Sequence, residues 1–517
     1  MSFPSISNNW TRAISLRFDA SKKYAQSFPW LFVLAAMGIT LRWTGLVSGV
    51  LWFDEAYSVT MARMGLIDMM QTLRTNISPP LWELVVWVTT RILGRNELAY
   101  RIVPFCASLI ALYVFWRLTQ ELQFTRAQQM FAFALLALLP YQTWLAQEAR
   151  MYEIISALYL LGILWVLQGK YLGLAAVMGL LLWSHNTGLY FAAVLGMSAL
   201  LIHPRQWRTI VVAGVVALLA WLPWMPVLLG QSQMDIPWLV PLTLQDATFS
   251  FVFDLFASTA LWAGGPILPT LLFYLSFLFA LAMQMIGLTK WTVQRKWIDG
   301  TSQRTWVATF AFWMPLLLFL TSSLFFQNTL FYRTTSPLIP PLILWFAVAL
   351  IPSPARLLNY LLPAIWIGLT IWALLIWSPQ DRGNNLKQVI DVIQNEWQPG
   401  DILYHANDMT AVLFSNYLPD KPHYVIDEKE LAGGYGIVEA ARLNIPRDAL
   451  EKIPHTRAWL VSPYYDYPSP PDERTADRRM RVYSASCILT GIVPYWQHAY
   501  VAVHLCLGPS AQPSAAK

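Results

Sequence analysis

The sequence predicts an α-helical polytopic membrane protein that ends in a small α/β domain outside the membrane. Of its 517 residues, 56% are hydrophobic and only 12% are charged, which leaves too little polar surface for a soluble globule of this size. Apolar runs of about 18 or more residues, the length that crosses a bilayer, recur as far as Ser378. After Ser378 the composition becomes mixed and polar, and no further crossing is predicted.

The apolar runs predict about eleven transmembrane helices. The stretch 79–93 is also apolar, but Glu83 and Arg91 leave fewer than the about 17 uninterrupted residues that a spanning helix needs. We predict that this stretch is an interfacial helix in the first outer loop. The predicted spans are residues 29–50, 98–117, 128–146, 150–169, 171–184, 187–202, 209–229, 266–289, 306–326, 334–351 and 358–377.

The basic residues predict which side of the membrane each loop faces. The formal net charge is +6, but Lys and Arg lie mostly in short loops between apolar runs, where the positive-inside rule and anionic lipids explain them. Nucleic acid is therefore excluded as a predicted partner. With eleven spans the basic loops face the cytoplasm, and Asp54, Glu148 and everything after Ser378 face outside. One extra crossing within 79–93 would separate Asp54 from Glu148.

Four segments follow from this topology. In the last quarter of the chain a helical pattern over 385–397, a turn at 399–401 and a strand pattern over 402–405 alternate. Cys487 and Cys506 lie in strand-like segments there, and whether they form a disulfide stays open. The predicted segments are a cytoplasmic tail at 1–28, a transmembrane catalytic domain at 29–377, an extracytoplasmic α/β domain at 378–508 and a disordered tail at 509–517.

The adjacent acids Asp54 and Glu55 are the first candidates for chemistry. They follow the first predicted span, where two carboxylates are costly unless they face water or a reaction centre. Asp54 suits a general base for an acceptor hydroxyl or a ligand for a divalent cation. The alternative is an N-terminal cap for the amphipathic stretch 55–64. Because a cap leaves the second acid unexplained, we predict that Asp54 is catalytic, with Glu55 as a second catalytic candidate.

A second acid, Glu148, lies at the turn between the third and fourth predicted spans. On a helix Glu148 and Tyr152 would share a face, four residues apart. The alternative is a surface ion pair between Glu148 and Arg150 that fixes a helix end. Because Asp54 is predicted on the same side of the membrane, we predict that Glu148 belongs to the same site.

Three further polar residues lie at predicted membrane boundaries. Arg333, at the outer mouth of the tenth span, suits a lipid phosphate, which a guanidinium binds through two parallel hydrogen bonds. Arg101, at the start of the second span, suits the same role. For both, the alternative is an interfacial anchor whose charged head reaches the water. His185 suits a metal or an acceptor, against the alternative of a polar residue satisfied at a helix turn.

These residues fall within six motifs whose order is informative. The motifs are Phe53-Asp54-Glu55-Ala56-Tyr57, Pro79-Pro80-Leu81-Trp82, Asn96-Glu97-Leu98-Ala99-Tyr100-Arg101, Gln147-Glu148-Ala149-Arg150-Met151-Tyr152, Ser184-His185 and Tyr332-Arg333. In this order they resemble the GT-C superfamily of membrane glycosyltransferases. The chain is most similar to the bacterial family-39-type and Rgt-like enzymes, which are related to protein O-mannosyltransferases and to the aminoarabinose transferases of lipid A. The resemblance covers about residues 29–350.

The resemblance implies the GT-C fold and an activity. The activity is an inverting transfer of a hexose or pentose from a polyprenyl-phosphate donor to a glycan, lipid or protein on the extracytoplasmic side. It also implies a multi-pass protein of the bacterial inner membrane. The chain departs from the family pattern at two places: Ser78 stands where relatives usually carry His or Lys, and the second loop has no Asp-x-Asp pair. The resemblance therefore implies neither a donor-binding role for position 78 nor a strongly bound metal.

The resemblance also implies roles for the candidate residues. Asp54 corresponds to the base or metal-associated acid, Glu148 to the acid of the second loop, and Arg101 to an arginine near the lipid phosphate. Arg333 and Arg150 are predicted to face the same phosphate.

Other roles concern the sugar and a metal. Tyr57, Tyr152 and His185 are predicted to contact the sugar or the acceptor. Asp54, Glu148 and His185 are the candidate ligands of a divalent cation, which would be Mg, Mn or Zn.

Two rival functions fit a polytopic chain. A transporter or flippase for a lipid-linked or envelope substrate would show paired interrupted helices and midplane charges in two related halves. No internal repeat is evident, and the acids gather at one interface. The second rival is a non-catalytic assembly factor that holds partners through its exported domain.

Overall fold

The computed structural model describes most of the predicted transmembrane region and parts of the C-terminal domain. The described residues are 29–47, 49–74, 76, 78–231, 275–285, 300–350, 358–376, 384–405, 408–426, 447–448, 457–465, 488–496 and 499–506. The two terminal tails, Cys487 and residues 232–265 of the loop after the seventh predicted span lie outside them.

The first half of the described chain is almost entirely helical. Polar caps begin two of the described helices: the Asn96 side chain accepts a hydrogen bond from Ala99 N at 2.9 Å, and Thr125 Oγ1 accepts one from Gln128 N at 3.3 Å. Gly94 (φ 82°) and Gly169 (φ 66°) end two others in conformations that favour glycine. The helices are α1 (Pro29–Thr44), α2 (Phe53–Arg63), α3 (Leu66–Leu73), α4 (Leu81–Leu93), α5 (Glu97–Glu121), α6 (Arg126–Leu138), α7 (Pro140–Ala146), α8 (Tyr152–Gln168), α9 (Tyr171–Ser184), α10 (Gly188–Ile202), α11 (Trp207–Trp221) and α12 (Met225–Gln231).

Helices continue through the second half and are then joined by strands. Short 3-10 turns at Pro204–Gln206, Leu222–Trp224 and Ser336–Leu338 connect neighbouring helices. The later helices are α13 (Leu275–Met285), α14 (Gly300–Phe325), α15 (Tyr332–Thr335), α16 (Ile339–Leu350), α17 (Leu358–Ile376), α18 (Asn384–Glu396) and α19 (Asp408–Tyr417). The strands are β1 (Ile402–His405), β2 (His423–Ile426), β3 (Arg447–Asp448), β4 (Ala458–Tyr465), β5 (Ile488–Trp496) and β6 (Ala499–Cys506).

Several helices of the described region are long and apolar enough to cross a membrane. By length and composition these are Glu97–Glu121, Pro204–Gln231 and Trp306–Phe325. A fourth forms if α6 and α7, which meet at a bend of 54°, count as one broken span. Each of the eleven predicted spans contains a described helix, but several, such as the 14 residues of α9, are short for a bilayer. The count of eleven crossings therefore stays a prediction.

The stretch 79–93 forms the short helix that was predicted. Helix α4 has 13 residues and is therefore about 20 Å long, less than the about 30 Å of hydrocarbon that a span must cross. It packs against α2 and α5, so it lies beside the helix that carries Asp54.

The bend between α6 and α7 has a local cause. Leu139 is extended (ψ 121°), and Pro140 at the first position of α7 has no N–H to continue the helical ladder. Arg42 of α1 donates to two carbonyls before the break, Ala137 O at 2.7 Å and Leu136 O at 3.0 Å. A buried arginine therefore satisfies backbone acceptors before the bend.

The C-terminal elements build a mixed six-stranded sheet in the order β3-β2-β1-β4-β6-β5. Strand β1 is parallel to β2 and β4, whereas β6 is antiparallel to β4 and β5. Helix α18, the turn at Gly400 (φ 95°) and β1 match the predicted pattern of this region. Cys506 is disulfide-bonded and Cys106 is free. The domain boundary at 378 stays a prediction.

Candidate active site

Asp54 forms an ion pair with Arg333, which lies 279 residues away in the sequence. The Arg333 Nη1 to Asp54 Oδ2 distance is 2.5 Å, and the guanidinium stacks 4.0 Å from the ring centroid of Trp52. Helix α2 begins at Phe53 with Trp52 as its N-cap, so the alternative of Asp54 as a cap is wrong. The Asp54 side chain is 28% exposed and that of Arg333 is 10% exposed. The carboxylate is therefore the more accessible partner of the pair.

Arg150 joins α2 to the loop between α7 and α8. Its Nη1 donates to Ser58 Oγ at 3.0 Å and to the Asp54 carbonyl at 3.4 Å. It also lies within electrostatic range of the carboxylates of Asp54, Glu83 and Glu148. This half-buried cation therefore lies among the acids of the site.

Glu148 is in the loop that carries Arg150, and not on a helix. Helix α8 begins at Tyr152 with Met151 as its N-cap, so the predicted shared helical face of Glu148 and Tyr152 is wrong. Glu148 is 1% exposed, which excludes the alternative of a surface ion pair. Tyr152 still lies near Glu148, because Tyr152 is within electrostatic range of Glu148, Asp54 and Arg333. Glu148 therefore lies near Asp54, as predicted, but the conformation of a loop places it there and not the face of a helix.

His185 joins the same region through Tyr152. Their ring centroids are 6.1 Å apart, and His185 Nδ1 accepts a hydrogen bond from Thr187 N at 3.1 Å. Burial, followed by the charge of Arg150, lowers the pKa of His185 to about 3. The imidazole is therefore neutral at physiological pH, with its proton on Nε2.

Glu83 is a site residue that the sequence analysis missed. Its charge predicted that 79–93 does not span the membrane, but no role in the site was predicted for it. The side chain is 1% exposed, and Oε1 accepts from Ser58 Oγ at 3.5 Å. Burial raises the pKa of Glu83, and the charge of Arg150 opposes that shift. An acid on the apolar side of an amphipathic helix is the signal that could have identified it.

Glu55 and Arg101 form a second, fully buried ion pair. Arg101 Nη2 lies 2.9 Å from Glu55 Oε2, and the two side chains are 0% and 1% exposed. Arg101 also donates to the carbonyls of Leu46, Gly49 and Val50. Glu55 accepts from Ala149 N at 2.6 Å and from Trp52 N at 3.2 Å. The structure therefore brings together two residues that were predicted to act separately, in catalysis and in phosphate binding.

Tyr57, a predicted sugar contact, is buried on α2. Its side chain is 7% exposed and its ring centroid is 6.5 Å from that of Phe53. The structure places it within the packed interior beside the site.

The candidate metal ligands do not fit a metal centre. The Asp54 carboxylate faces Arg333, and Nδ1 of His185 is engaged by Thr187. Within the described ranges, no group of three His, Cys, Asp or Glu side chains is arranged to hold a metal ion. The expected ligand set of Asp54, Glu148 and His185 is therefore not assembled.

Comparisons with known proteins identify the fold. No family model and no curated protein matches the chain. ArnT from Cupriavidus metallidurans in the apo state matches over 92% of this chain and 97% of its own, at 14% identity and a TM-score of 0.57. The same ArnT bound to undecaprenyl phosphate matches over 92% of this chain and 98% of its own, at 14% identity and a TM-score of 0.53. The chain thus has the fold of ArnT, the GT-C fold that its motifs predicted, and its described part contains three helices that are long and apolar enough to cross a membrane.

Proposed function

We propose that this protein is an integral-membrane inverting glycosyltransferase that uses a polyprenyl-phosphate-linked sugar as its donor. The observation that carries the proposal is the Asp54–Arg333 pair, which sets a partly exposed carboxylate against a guanidinium. A sugar transfer from a lipid phosphate needs a proton acceptor and a phosphate-binding cation together. The ArnT neighbour solved with undecaprenyl phosphate supports a lipid phosphate as the partner.

The chemistry requires little from the protein beyond orientation and charge. The acceptor hydroxyl attacks the anomeric carbon from the face opposite the phosphate, and the bond from that carbon to the phosphate oxygen breaks. Asp54 takes the hydroxyl proton, and the polyprenyl phosphate leaves with the bonding electrons. Because the leaving group is already an anion of low basicity, positioning and charge neutralisation supply most of the rate.

Arg333 and Arg150 are the cations that we assign to the phosphate. Arg333 stacks on Trp52 and can turn from Asp54 to a phosphate without leaving the aromatic face. When it turns, it frees the Asp54 carboxylate to accept a proton, so donor binding would activate the base. Arg150 stays held by Ser58 and adds a second positive charge near the same acid.

For Glu55 and Arg101 we propose positioning and not chemistry. These two buried groups bond to each other, and they also bond to Val50 O just before α2 and to Ala149 N in the loop before α8. Their role would be to fix the backbone on either side of the site. Because the described acids do not assemble a three-ligand metal site, no step of this proposal is assigned to a metal.

The finer assignments are part of the same proposal. The acceptor would be a cell-envelope glycan, lipid or protein on the extracytoplasmic side, and the enzyme would lie in a bacterial inner membrane. The C-terminal region would lie on the same side as the acceptor, because its helix α19 packs on α2.

One assay separates the proposal from its rivals. Purified protein is incubated with a panel of labelled polyprenyl-phosphate sugars and candidate acceptors, and released polyprenyl phosphate is measured. An enzyme releases it in proportion to glycosylated acceptor. A flippase in proteoliposomes would move the labelled lipid between leaflets without releasing phosphate, and an assembly factor would do neither. Lipid movement without release, across the whole panel, would overturn the proposal.

A further inference from the structure

The C-terminal domain contacts the helix that carries Asp54 at both of its ends. Helix α19, which connects β1 to β2, packs along α2. Its buried residues Val412 and Phe414 belong to the same continuous apolar core as Val59 and Leu51. The domain is therefore not merely tethered beside the transmembrane helices, because it shares their packed interior.

At the first end, a side chain of the domain holds the backbone just before the site. The Tyr417 hydroxyl accepts a hydrogen bond from the backbone N–H of Leu51 at 2.7 Å. Leu51 lies three residues before Asp54 in the sequence and is 1% exposed, so its N–H has no ready access to water. An unpaired backbone donor costs free energy at such a position. The Tyr417 hydrogen bond therefore stabilises this particular position of the Leu51 backbone.

At the other end, α2 holds the C-terminal turn of α19. Arg63, the last residue of α2, donates to Ser415 O at 3.2 Å and to Asn416 O at 3.0 Å. A cation on the last carbonyls of a helix satisfies acceptors that have no intrahelical partner and opposes the helix dipole. Between the two ends, Asn416 Nδ2 donates to Thr60 Oγ1 at 2.8 Å.

We propose that α19 of the C-terminal domain is a positioning element for the Asp54 helix, with Tyr417 as its principal residue. Tyr417 fixes the turn from which α2 starts, and the Arg63 contacts fix the axis of α2. Together they set where the Asp54 carboxylate stands relative to Arg333, which comes from a different part of the chain. The effect on transfer rests on the proposed function, whereas the effect on the backbone does not.

The charge state of Tyr417 agrees with this role. Burial raises the pKa of Tyr417 above its usual range, so the phenol stays protonated and the Leu51 N–H bonds a neutral hydroxyl oxygen. Replacement by Phe would keep the ring in its apolar surroundings and remove only this acceptor.

The test compares Tyr417→Phe with Tyr424→Phe in the full-length protein. Tyr424 lies on β2 of the same domain and its ring stacks on Tyr404, so its variant controls for the loss of a tyrosine hydroxyl from the domain. Hydrogen exchange is measured over peptides that cover 49–57, together with transfer rates at varied donor concentration. For Tyr417→Phe we expect exchange in that segment to rise about 3- to 10-fold, the effect of one lost hydrogen bond. We also expect kcat to fall by a similar factor at unchanged donor KM.

The outcomes discriminate between the two proposals. Unchanged exchange over 49–57 in Tyr417→Phe, or an equal rise in Tyr424→Phe, would overturn the positioning role. Raised exchange with an unchanged kcat would also overturn it. If wild-type protein shows no transfer on any donor, the proposed function fails, and the exchange result still decides whether α19 orders α2. Arg63→Gln supplies a second probe, with raised exchange expected over 53–63, should Tyr417→Phe not fold.

Discussion

Asp54 and Glu55 are neighbours in sequence but occupy opposite environments. Asp54 is partly exposed and pairs with a guanidinium that stacks on an aromatic ring. Glu55 is 1% exposed and is surrounded by Arg101 and backbone N–H donors. Successive residues of a helix point about 100° apart, so one can face a reaction centre while the next is buried in structure. We therefore propose different roles for the two acids, because their surroundings differ.

Removal of the Asp54 charge should stop transfer without unfolding the protein. For Asp54→Asn we expect turnover about 100- to 10,000-fold below wild type, the usual contribution of a general base, because the amide cannot accept the hydroxyl proton. Release of polyprenyl phosphate checks the rate, and thermal unfolding in detergent checks the fold. Asp68→Asn, at an exposed position on α3, is the matched control. Near-normal turnover in Asp54→Asn would remove this residue from the mechanism.

Arg333 should govern affinity for the lipid phosphate. For Arg333→Gln we expect undecaprenyl phosphate to bind about 10- to 100-fold more weakly, because a charge-assisted hydrogen bond contributes about 1.5–3 kcal/mol. Arg333→Lys should recover part of the loss, since it keeps the charge but not the planar fork. Native mass spectrometry with undecaprenyl phosphate measures the affinity of each variant. Arg205→Gln, at an exposed position after α10, is the control. Equal affinity in wild type and Arg333→Gln would contradict the assignment.

The buried pair of Glu55 and Arg101 should govern stability. Arg101→Met leaves the Glu55 charge buried and uncompensated, at a cost of about 3–5 kcal/mol. We expect a clear decrease in the unfolding midpoint for Arg101→Met. In the double variant Glu55→Gln/Arg101→Met, the decrease should be smaller than the sum of the decreases in the two single variants. If instead Arg101 binds phosphate, Arg101→Met would unfold at the wild-type temperature and lose donor affinity.

At the scale of elements, the loop between α7 and α8 connects the bundle to the site. Gln147 Nε2 donates to Leu41 O at 2.8 Å and to Arg42 O at 3.1 Å, which fixes the start of the loop on the end of α1. Glu148 and Arg150 follow in sequence. The position of these two charged groups thus depends on how closely Gln147 approaches α1.

Gly45 permits that approach and is the position at which to test it. A Cβ added at Gly45 would collide with the Gln147 carboxamide. We expect Gly45→Ala to cost about 1–3 kcal/mol of stability, as overpacking usually does, and to slow transfer about 10-fold by displacing the loop. Gly196→Ala, where a Cβ meets nothing within 4 Å, should change neither. The measurements are the unfolding midpoint and the turnover of both variants. If Gly45→Ala has the unfolding midpoint and the turnover of wild type, the proposed role of the loop is wrong.

At the scale of the whole molecule, a buried histidine pair lies beneath α19. His405 Nε2 and His423 Nδ1 are 2.9 Å apart, and the His423 Nε2–H donates to Leu418 O at 2.8 Å. Burial lowers the pKa of both residues, and their proximity lowers that of His405 further. The folded domain therefore excludes protons that the unfolded chain, with histidines near pKa 6.5, would bind.

This pair predicts an acid-sensitive C-terminal domain. Stability should be fully present above about pH 6.5 and should fall as the pH decreases below that value, by up to about 1.4 kcal/mol per pH unit for each histidine. The temperature at which a protease begins to cut the domain in the full-length protein measures this at pH 7.5, 6.5 and 5.5. His405→Gln should flatten the dependence. An equal dependence in wild type and variant would show that other groups cause it.

Much of the helical framework could be predicted, because bilayer physics imposes long apolar runs that are visible in one sequence. The runs at 98–117 and 306–326 became helices Glu97–Glu121 and Gly300–Phe325, and 79–93 became the short α4. The candidate site was predicted less completely. Arg101 at a helix start has the same local sequence signal whether it binds a phosphate or a buried carboxylate. Glu83 gave no motif of its own.

The sequence by itself determined the membrane class, the GT-C resemblance and the set of charged residues from which the site is built, because hydropathy, charge placement and motif order are local properties of the chain. Only the tertiary structure decided which charges pair. Asp54 meets Arg333 and Glu55 meets Arg101 because the intervening helices pack in one particular arrangement, and a carboxylate selects its partner by distance and burial and not by separation in sequence.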